Sequence, residues 1–576
     1  MTPDAFPASP KPPRIRSDRV YAALLAAAVA AVVVLVAGLE QLVYGGMAFT
    51  EPSKAGIAAA ALACIAWERR RRRAGRPVAM RTARAVAVAL GLGSLGMWYA
   101  GAVFSYSGFF HVWDQFHYVV GSKYFRELGY DGIYRCSAVA LDRAGTVDMP
   151  GTLPGRPVPL DLRAEVRGPG YLIRDLGRGN LVVPAAGALA DAEGCTRRFS
   201  PARWAAFQHD VVFFRLQVDA GHWQMMVRDH GYNPPPPWTA VGGAIAGLRP
   251  AGKGWMVVLA LLDPALVLAA FAALWWAFGW RTAALGAVFW GCQGFSPFFW
   301  TGGAFLRQDW FFLAILSVCL ARRGRHAAAG ASLAVAAALR VFPALLAIGW
   351  MVMLLDPRTR RRGRRAMLRA AAGGLAAAAM MLAAGAAAAG PEAYPAFVRH
   401  IRLHQQTPLT NEIGLRPLLA GGIDAGPSTG RQRRLRDERL PDPVQRWKEV
   451  RAERWQSRRL AAWAVALLLA VPFVAALRRA RRPWAAPGLS ALWIVLLLQL
   501  TAYYYGLLTV TAPLARLRPR VEVWLLAFAV ATQVAAAALW WHDERHLTFS
   551  ALALAYVVAV NAAFARRRSG PTPRAR

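Results

Sequence analysis

Long apolar runs alternate with polar segments along the whole chain. The first begins near residue 20 and the last ends near residue 565. Many of these runs approach about 20 residues, the length that an α-helix needs to cross the hydrocarbon core of a bilayer. The pattern predicts an all-α polytopic membrane protein with about 12–14 membrane helices, including short re-entrant pairs.

The longer polar segments divide the chain into five predicted parts. Each boundary follows a change from an apolar run to a polar one. The parts are N-terminal membrane helices (1–104), an extracytoplasmic loop domain with an interfacial helix (105–254), a membrane core (255–390), an extracytoplasmic loop (391–459) and C-terminal membrane helices (460–576).

The first loop begins with an aromatic and polar segment, residues 111–134. At 100° per residue, its large apolar side chains fall on one side of a helix, which predicts an interfacial helix lying on the bilayer. Asp114 stands where it could cap that helix. Farther along the loop, β-like runs at 171–173 and 181–183 lie between glycine and proline turns, so the loop domain is expected to be mixed α/β.

Two apolar segments have arginines at both ends and are predicted to be re-entrant helix pairs. Residues 327–355 lie between basic clusters, and a single span would place one cluster outside and bury Arg340 in the membrane. Two short helices that meet near Arg340 keep both clusters on the cytoplasmic side. The same reasoning applies to residues 489–515, with the tyrosines 503–505 at the outer tip.

The net charge is +37, from 69 Lys and Arg against 32 Asp and Glu. Much of this charge lies in short clusters between apolar runs, and such clusters stay on the cytoplasmic side. The charge therefore indicates topology, with a cytoplasmic N-terminus, and no basic stretch is interleaved with aromatics as in a nucleic-acid groove. The chain has no Asn-x-Ser/Thr acceptor, which fits a multi-pass protein of a bacterial cytoplasmic membrane.

Two of the five cysteines, Cys136 and Cys195, are the ones in the largest polar loop. If the loop faces an oxidising compartment, these two are expected to pair. His400 and His404 are spaced i and i+4, so both could bind one metal ion, but no glutamate of an HExxH motif lies between them. No metal site is predicted, and the need for a divalent metal stays open.

The predicted topology places Asp114, Asp309 and Arg340 near the outer membrane surface. An ionised carboxylate can accept the proton of an attacking hydroxyl, and a guanidinium suits a phosphate leaving group. Together they suit transfer of a group from a lipid phosphate to an alcohol. The alternatives are a cap or structural ion pair for Asp114, and a structural ion pair or a snorkelling side chain for Arg340.

Several motifs, taken in order, resemble those of the bacterial GT-C glycosyltransferases, polytopic enzymes that use polyprenyl-phosphate sugars. The run QDWFFLAIL from Gln308, then ARRGRH, AGA and ALRVFP up to residue 343, is similar to their G-Q-x-n…r-r-g-r…A-G…l-K-x-x-P run. DQFHY at 114–118 with GYDGIY at 129–134 resembles their first outer loop. YNPPP from residue 232 resembles their Y-P-P element, and YYY at 503–505 a late aromatic patch. The chain departs from the family in having Arg307 in place of the glycine before Gln308, and in its longer first loop.

The resemblance implies an inverting transfer of one sugar from a polyprenyl phosphate to a glycan, lipid or protein acceptor. It implies Asp114 as the base and puts Arg340, in place of the family lysine, near the donor phosphate. The other candidate substrate-binding residues are Gln308, Asp309, Tyr118, His117, Lys123 and Tyr504. No cofactor is expected beyond the lipid-linked donor, and Asp309 is either a second acid or the partner of Arg307.

Three other functions stay open at this point. A transporter should show related halves, and none is seen. A non-catalytic membrane scaffold should tolerate loss of Asp114. A membrane O-acyltransferase would need an intramembrane histidine, whereas every histidine lies near a predicted helix end or in a loop.

Overall fold

The computed structural model describes residues 16–45, 49–99, 109–149, 158–421, 440, 445–539 and 542–566. The predicted boundary at residues 104/105, part of the arginine-rich stretch in 391–459 and the end of the last basic cluster lie outside these residues. Six described helices are long and apolar enough to cross a membrane. These six spans are Arg19–Val43, Lys253–Phe278, Gly363–Ala389, Gln445–Ala480, Arg520–Ala538 and Asp543–Ala565. The chain is thus an all-α polytopic membrane protein in its main architecture, and the count of 12–14 membrane helices stays a prediction.

The elements before the large loop and after it are almost all helical, and most of them pack around one apolar core. The N-terminal helices are α1 (Arg16–Tyr44), α2 (Thr50–Arg73) and α3 (Met80–Tyr99). The elements of the loop, residues 109–252, follow as α4 to α13 and are given below. The central helices are α14 (Lys253–Ala260), α15 (Leu262–Phe278), α16 (Trp280–Cys292), α17 (Phe298–Thr301), α18 (Asp309–Arg322), α19 (His326–Arg340), α20 (Ile348–Leu355) and α21 (Pro357–Ala389).

The remaining elements continue the chain to its described end. They are α22 (Ala393–Gln406), β5 (Glu412–Ile413), α23 (Leu415–Gly421), α24 (Gln445–Ala480), α25 (Ala486–Leu497), β6 (Leu500–Thr501), α26 (Arg520–Ala538) and α27 (His542–Ala565). Three 3₁₀ segments join them or the central helices: Phe342–Ala347, Pro483–Ala485 and Ala502–Arg516.

Residues 109–252, called here the loop domain, contribute most of a second hydrophobic core, which also includes residues of α14, α19 and α21. Its elements are α4 (Val112–Gln115), a π-helical turn (Phe116–Val120), α5 (Gly121–Lys123), α6 (Phe125–Leu128), α7 (Ile133–Ala144), β1 (Thr146–Met149), β2 (Val158–Asp161), α8 (Leu162–Arg167), β3 (Leu172–Asp175), β4 (Leu181–Pro184), α9 (Ala186–Ala190), α10 (Ala192–Thr196), α11 (Pro201–Arg215), α12 (Ala220–Met226) and α13 (Pro236–Ala246). Two antiparallel hairpins, β1 with β2 and β3 with β4, supply the strands, and the second coincides with the two β-like runs of the sequence.

The segment 111–134 does not form the interfacial helix expected from its periodicity. It is a chain of short helical pieces, and two residues of its polar side are buried: Gln115 is 0% exposed and Ser122 is 5% exposed, whereas Arg126 farther along that side is exposed. The Gln115 amide donates to the carbonyls of Met256 and Gly303, at 2.9 and 3.1 Å. The first part of this segment is therefore covered on its polar side by protein, at Gln115 by the carbonyls of Met256 and Gly303.

The first predicted re-entrant turn agrees with the structure. Helices α18 and α19 run antiparallel, since Ser332 donates to the carbonyl of Leu313 and Ser317 donates to that of Ala329. Helix α19 ends at Arg340, beside the start of α18, and Val341 follows with φ of 55°. At the opposite end of α19, residues of both basic clusters line one depression. The two clusters that flank residues 327–355 thus lie on the same side.

Small residues allow α19 and α21 to pack closely. A Cβ atom at Gly330 would overlap the backbone of Ala370, and one at Gly373 would overlap the backbone of Ala327. Helices within a membrane have no hydrophobic driving force to associate, so close contacts between small residues such as glycine and alanine stabilise their packing. The close packing fixes the first part of α19 against α21.

Candidate functional site

Asp114 lies at the meeting point of the loop domain and the membrane helices. Its side chain is 1% exposed and pairs with the guanidinium of Arg307. Its other oxygen accepts a hydrogen bond from the backbone N–H of Phe305 at 3.0 Å. Asp114 does not cap α4, because His111 is the N-cap and its Nδ1 accepts from the Asp114 N–H. Its carboxylate instead faces the chain segment just before α18.

Arg307 is held by several groups from distant parts of the chain. Its Nη1 donates to the hydroxyls of Tyr118 and Tyr503, at 3.2 and 2.9 Å, and its guanidinium lies over both rings. The Arg307 backbone N–H donates to Asp263 on α15. Its Nε is buried and has no hydrogen-bond acceptor among the described residues. Arg307 is thus a fixed guanidinium with one donor still unused.

A cavity of about 410 Å³ opens above this ion pair. Asp114 and Arg307 line it, together with Tyr118 and Tyr503. Five histidines also line it: His111, His117, His222, His230 and His404. The side chains that complete much of the wall are Trp113, Asp229, Asn233, Phe299, Trp300 and Asn411.

Most of the cavity histidines are held neutral. Burial and the nearby charge of Arg307 lower the pKa of His111 to about 3. Burial likewise lowers the pKa of His117 and His404, and lowers that of His230 well below its usual value. Arg307 is therefore the main positive charge that this wall presents at neutral pH.

Asp229 is a second carboxylate in the wall, which sequence reasoning missed. It accepts a hydrogen bond from the indole N–H of Trp113 at 2.7 Å. No motif of the resemblance includes it, and the weak signal available was its place two residues before Gly231, in the turn that leads to the YNPPP element.

Arg340 lies behind the cavity rather than in its wall. Its guanidinium is over the rings of Tyr118 and Trp238, at 5.2 and 5.1 Å from their centroids. Its Nη2 donates to the carbonyl of Leu306, and its Nε is buried with no acceptor among the described residues. Arg340 therefore does not line the cavity of Asp114, and the guanidinium that meets Asp114 there belongs to Arg307.

Asp309 is not the partner of Arg307. It accepts a hydrogen bond from the indole N–H of Trp238 at 2.8 Å and is buried at the start of α18. Trp238 thus lies between Asp309 and the Arg340 guanidinium, and the three groups form a layer beneath the cavity wall.

The remaining candidate residues divide between the cavity and other roles. His117 lines the cavity and bonds the Tyr134 hydroxyl through Nε2 at 2.7 Å. Lys123 pairs with buried Asp210 on α11 at 2.8 Å, so it holds the loop domain together away from the cavity. Gln308 is buried, and its backbone N–H donates a hydrogen bond to the carboxylate of Asp263.

Of the aromatic patch, Tyr503 reaches the cavity. Tyr504 packs on Trp310 and Phe342, at ring separations of 5.6 and 5.0 Å, and lies one layer behind. The 3₁₀ segment Ala502–Arg516 starts at this patch, and the Tyr503 hydroxyl accepts a hydrogen bond from Arg307.

Cys136 and Cys195, the pair expected from the sequence, are joined by a disulfide that links α7 to α10. Among the described residues, no three His, Cys, Asp or Glu side chains are grouped to hold a metal ion.

The fold and the cavity together define an α-helical polytopic membrane protein with a buried carboxylate–guanidinium pair where its loop domain meets the membrane helices. No protein family matches this chain, and comparison with curated proteins and with solved structures finds no similar one.

Proposed function

We propose that this chain is an inverting membrane glycosyltransferase of the GT-C type, which moves one sugar from a polyprenyl phosphate to an acceptor hydroxyl. The observation that carries the proposal is the Asp114–Arg307 pair in the wall of a cavity beside helix ends. A donor anchored by a lipid tail can bring its phosphate to a cavity beside membrane helices, and the pair lies next to the start of α18.

The cavity has suitable groups for each part of such a donor. Arg307 lines the cavity, and a guanidinium is the side chain best suited to a phosphate. Phe299, about half exposed, and Trp300 form an apolar edge along which a lipid tail can lie. His404, whose Nδ1 has no partner among the described residues, and the two asparagines can supply neutral donors and acceptors for sugar hydroxyls.

The proposed reaction needs one displacement. Asp114 accepts the proton of the acceptor hydroxyl while that oxygen attacks the anomeric carbon. The bond from this carbon to the phosphate oxygen breaks, and the lipid phosphate leaves with the electron pair, stabilised by Arg307. Phosphate binding at Arg307 weakens its pairing with Asp114 and frees the carboxylate to act as a base.

Arg340 takes a supporting role in this proposal. Its charge lies behind Tyr118, close enough to bias the Tyr118 side of the cavity toward an anion. We assign it a positioning role and assign the direct phosphate contact to Arg307. The proposed setting is the cytoplasmic membrane of a bacterium, with the N-terminus in the cytoplasm and the cavity on the outer side.

The test is transfer from polyprenyl-phosphate sugars by the purified chain in detergent, with Asp114→Asn, Asp229→Asn and Asp142→Asn compared. Asp142 is on α7 and pairs with Arg167, so its variant is the control for loss of a carboxylate in the same domain. We expect turnover to fall by about 100-fold or more in Asp114→Asn, the usual range for loss of a general base, and to be unchanged in Asp142→Asn.

Two results would change the proposal. Unchanged turnover in a folded Asp114→Asn variant, with loss in Asp229→Asn, would move the base to Asp229. No turnover with any polyprenyl-phosphate sugar would leave a scaffold or transporter as the better description.

A further inference from the structure

The loop domain contains a second cavity, of about 520 Å³, whose wall is rich in arginine. Four guanidinium groups reach it from four separate elements: Arg135 on α7, Arg178 in the turn between β3 and β4, Arg198 after α10, and Arg399 on α22. Two carboxylates, Asp131 and Asp175, lie in the same wall. We call it the arginine cavity.

The local structure brings these arginines together from distant parts of the chain. The disulfide between Cys136 and Cys195 lies in the wall, so Arg135 and Arg198 are fixed on one rim. Asp175 accepts hydrogen bonds from the backbone N–H groups of Gly177 and Arg178, which shape the turn that carries Arg178.

Three of the four guanidinium groups are not used by the fold. Arg135 pairs with Asp191 at 2.9 Å, whereas Arg178, Arg198 and Arg399 make no side-chain hydrogen bond or ion pair within the described part of the chain. The four arginines outnumber the two carboxylates of the wall, so the cavity is net positive and attracts an anion.

The two carboxylates indicate that the anion also carries hydroxyl groups. Desolvation and the neighbouring Asp175 raise the pKa of Asp131, and the charges of Arg135, Arg198 and Arg399 oppose that rise, so these groups act on one another across the cavity. A simple anion would be repelled by Asp131 and Asp175. A saccharide bearing a phosphate or carboxylate accepts from the arginines and donates its hydroxyls to the carboxylates.

The arginine cavity adjoins the cavity of Asp114. His400 lines the arginine cavity, Asn233 lines the other, and their side chains bond to each other at 2.7 Å. His404, one turn farther along α22, lines the cavity of Asp114. One helical turn and one asparagine therefore lie between the two sites.

We infer that the arginine cavity binds an anionic saccharide, and that this saccharide is the anionic part of the acceptor. The second half of this inference rests on the proposed transferase function, whereas binding itself does not. An extended acceptor held by its anionic group in the arginine cavity would place a neighbouring sugar at the Asn233 side of the cavity of Asp114.

The test measures binding of glucose 6-phosphate, glucose and inorganic phosphate to the purified full chain by calorimetry, with no donor present. We expect glucose 6-phosphate to bind more tightly than either of its parts. Loss of two charge-assisted contacts in Arg198→Gln/Arg399→Gln should raise its Kd by about tenfold or more.

The matched control is Arg197→Gln/Arg402→Gln. Both arginines are exposed neighbours of the tested ones, on the same elements, and neither lines the cavity. This control removes the same net charge and should leave the Kd unchanged.

Three results would overturn the inference. They are failure of glucose 6-phosphate to bind, equal weakening of its binding by the two double variants, and binding of inorganic phosphate as tight as that of glucose 6-phosphate. Selective binding by a chain that shows no transfer would refute the transferase proposal and leave the saccharide site standing.

Discussion

Asp114 and Arg307 form a buried ion pair, and replacing either residue should destabilise the chain. Their side chains are 1% and 9% exposed, so a partner left alone stays largely out of water. Removing one member of a buried pair costs about 3–5 kcal/mol. In the Asp114→Asn variant the new amide oxygen would still accept from Phe305, and the hydroxyls of Tyr118 and Tyr503 would still accept from Arg307. We therefore expect Asp114→Asn to lower the free energy of unfolding by about 3 kcal/mol, the lower end of that range.

A double-mutant cycle measures the coupling between Asp114 and Arg307 directly. Asp114→Asn, Arg307→Gln and the double variant would be unfolded in detergent by heat and by denaturant, followed by tryptophan fluorescence. The double variant should lose less stability than the sum of the single variants, by about 1–3 kcal/mol, because residues that contact each other do not act additively. Additive losses would refute the conclusion that the two side chains are a coupled pair.

Three further predictions concern the loop domain and the helix packing. Replacing Cys136 and Cys195 by serine should lower the free energy of unfolding by about 4 kcal/mol, as expected for a bridge that joins residues 59 positions apart, measured by denaturant unfolding. Gly330→Ala should cost about 1–3 kcal/mol, since the added methyl group would overlap Ala370 and force α19 from α21; thermal unfolding measures it. Burial and the nearby His404 lower the pKa of His400 to about 3. The unfolded chain binds a proton there below about pH 6.5, so stability should fall as pH decreases from 6.5 toward 3, and the fall should be smaller in His400→Gln.

Each of these predictions has a control within the same chain. Reductant should lower the stability of the unmodified protein to that of the serine variant, and a serine variant as stable as the oxidised protein would contradict the first. Gly93→Ala on α3 meets nothing within 4 Å and should be neutral or slightly stabilising. Equal effects at Gly93 and Gly330 would contradict the packing argument. An identical pH dependence of stability in the unmodified protein and in His400→Gln would contradict the third prediction.

The segment 111–134 shows where pattern reasoning reached its limit. Its periodicity correctly indicated an apolar side, which packs into the core of the loop domain. A helical wheel does not show what covers the opposite side. The carbonyls of Met256 and Gly303 cover it, by accepting from Gln115, and both come from segments more than 100 positions away. At Gln115 this side contacts protein, not the bilayer surface that the helical wheel suggested.

Arg307 shows the same limit for the site itself. In the sequence it stands where the GT-C motif that the chain resembles has a glycine, while Arg340 stands where that motif has a lysine. Both guanidinium groups lie near the Tyr118 ring, but only Arg307 lines the cavity and meets Asp114. Which of two nearby cations faces a carboxylate depends on how the chain enters α18, and no local pattern encodes that.

The sequence by itself determined the membrane character, the turn at Arg340 and the pairing of Cys136 with Cys195. These depend on properties of the linear sequence: the length of apolar runs, the position of arginine clusters and the presence of two cysteines in one loop. Only the tertiary structure decided that Arg307 meets Asp114 and that four arginines share one cavity. Such contacts join residues up to 193 positions apart in the ion pair, and close packing between distant segments selects them.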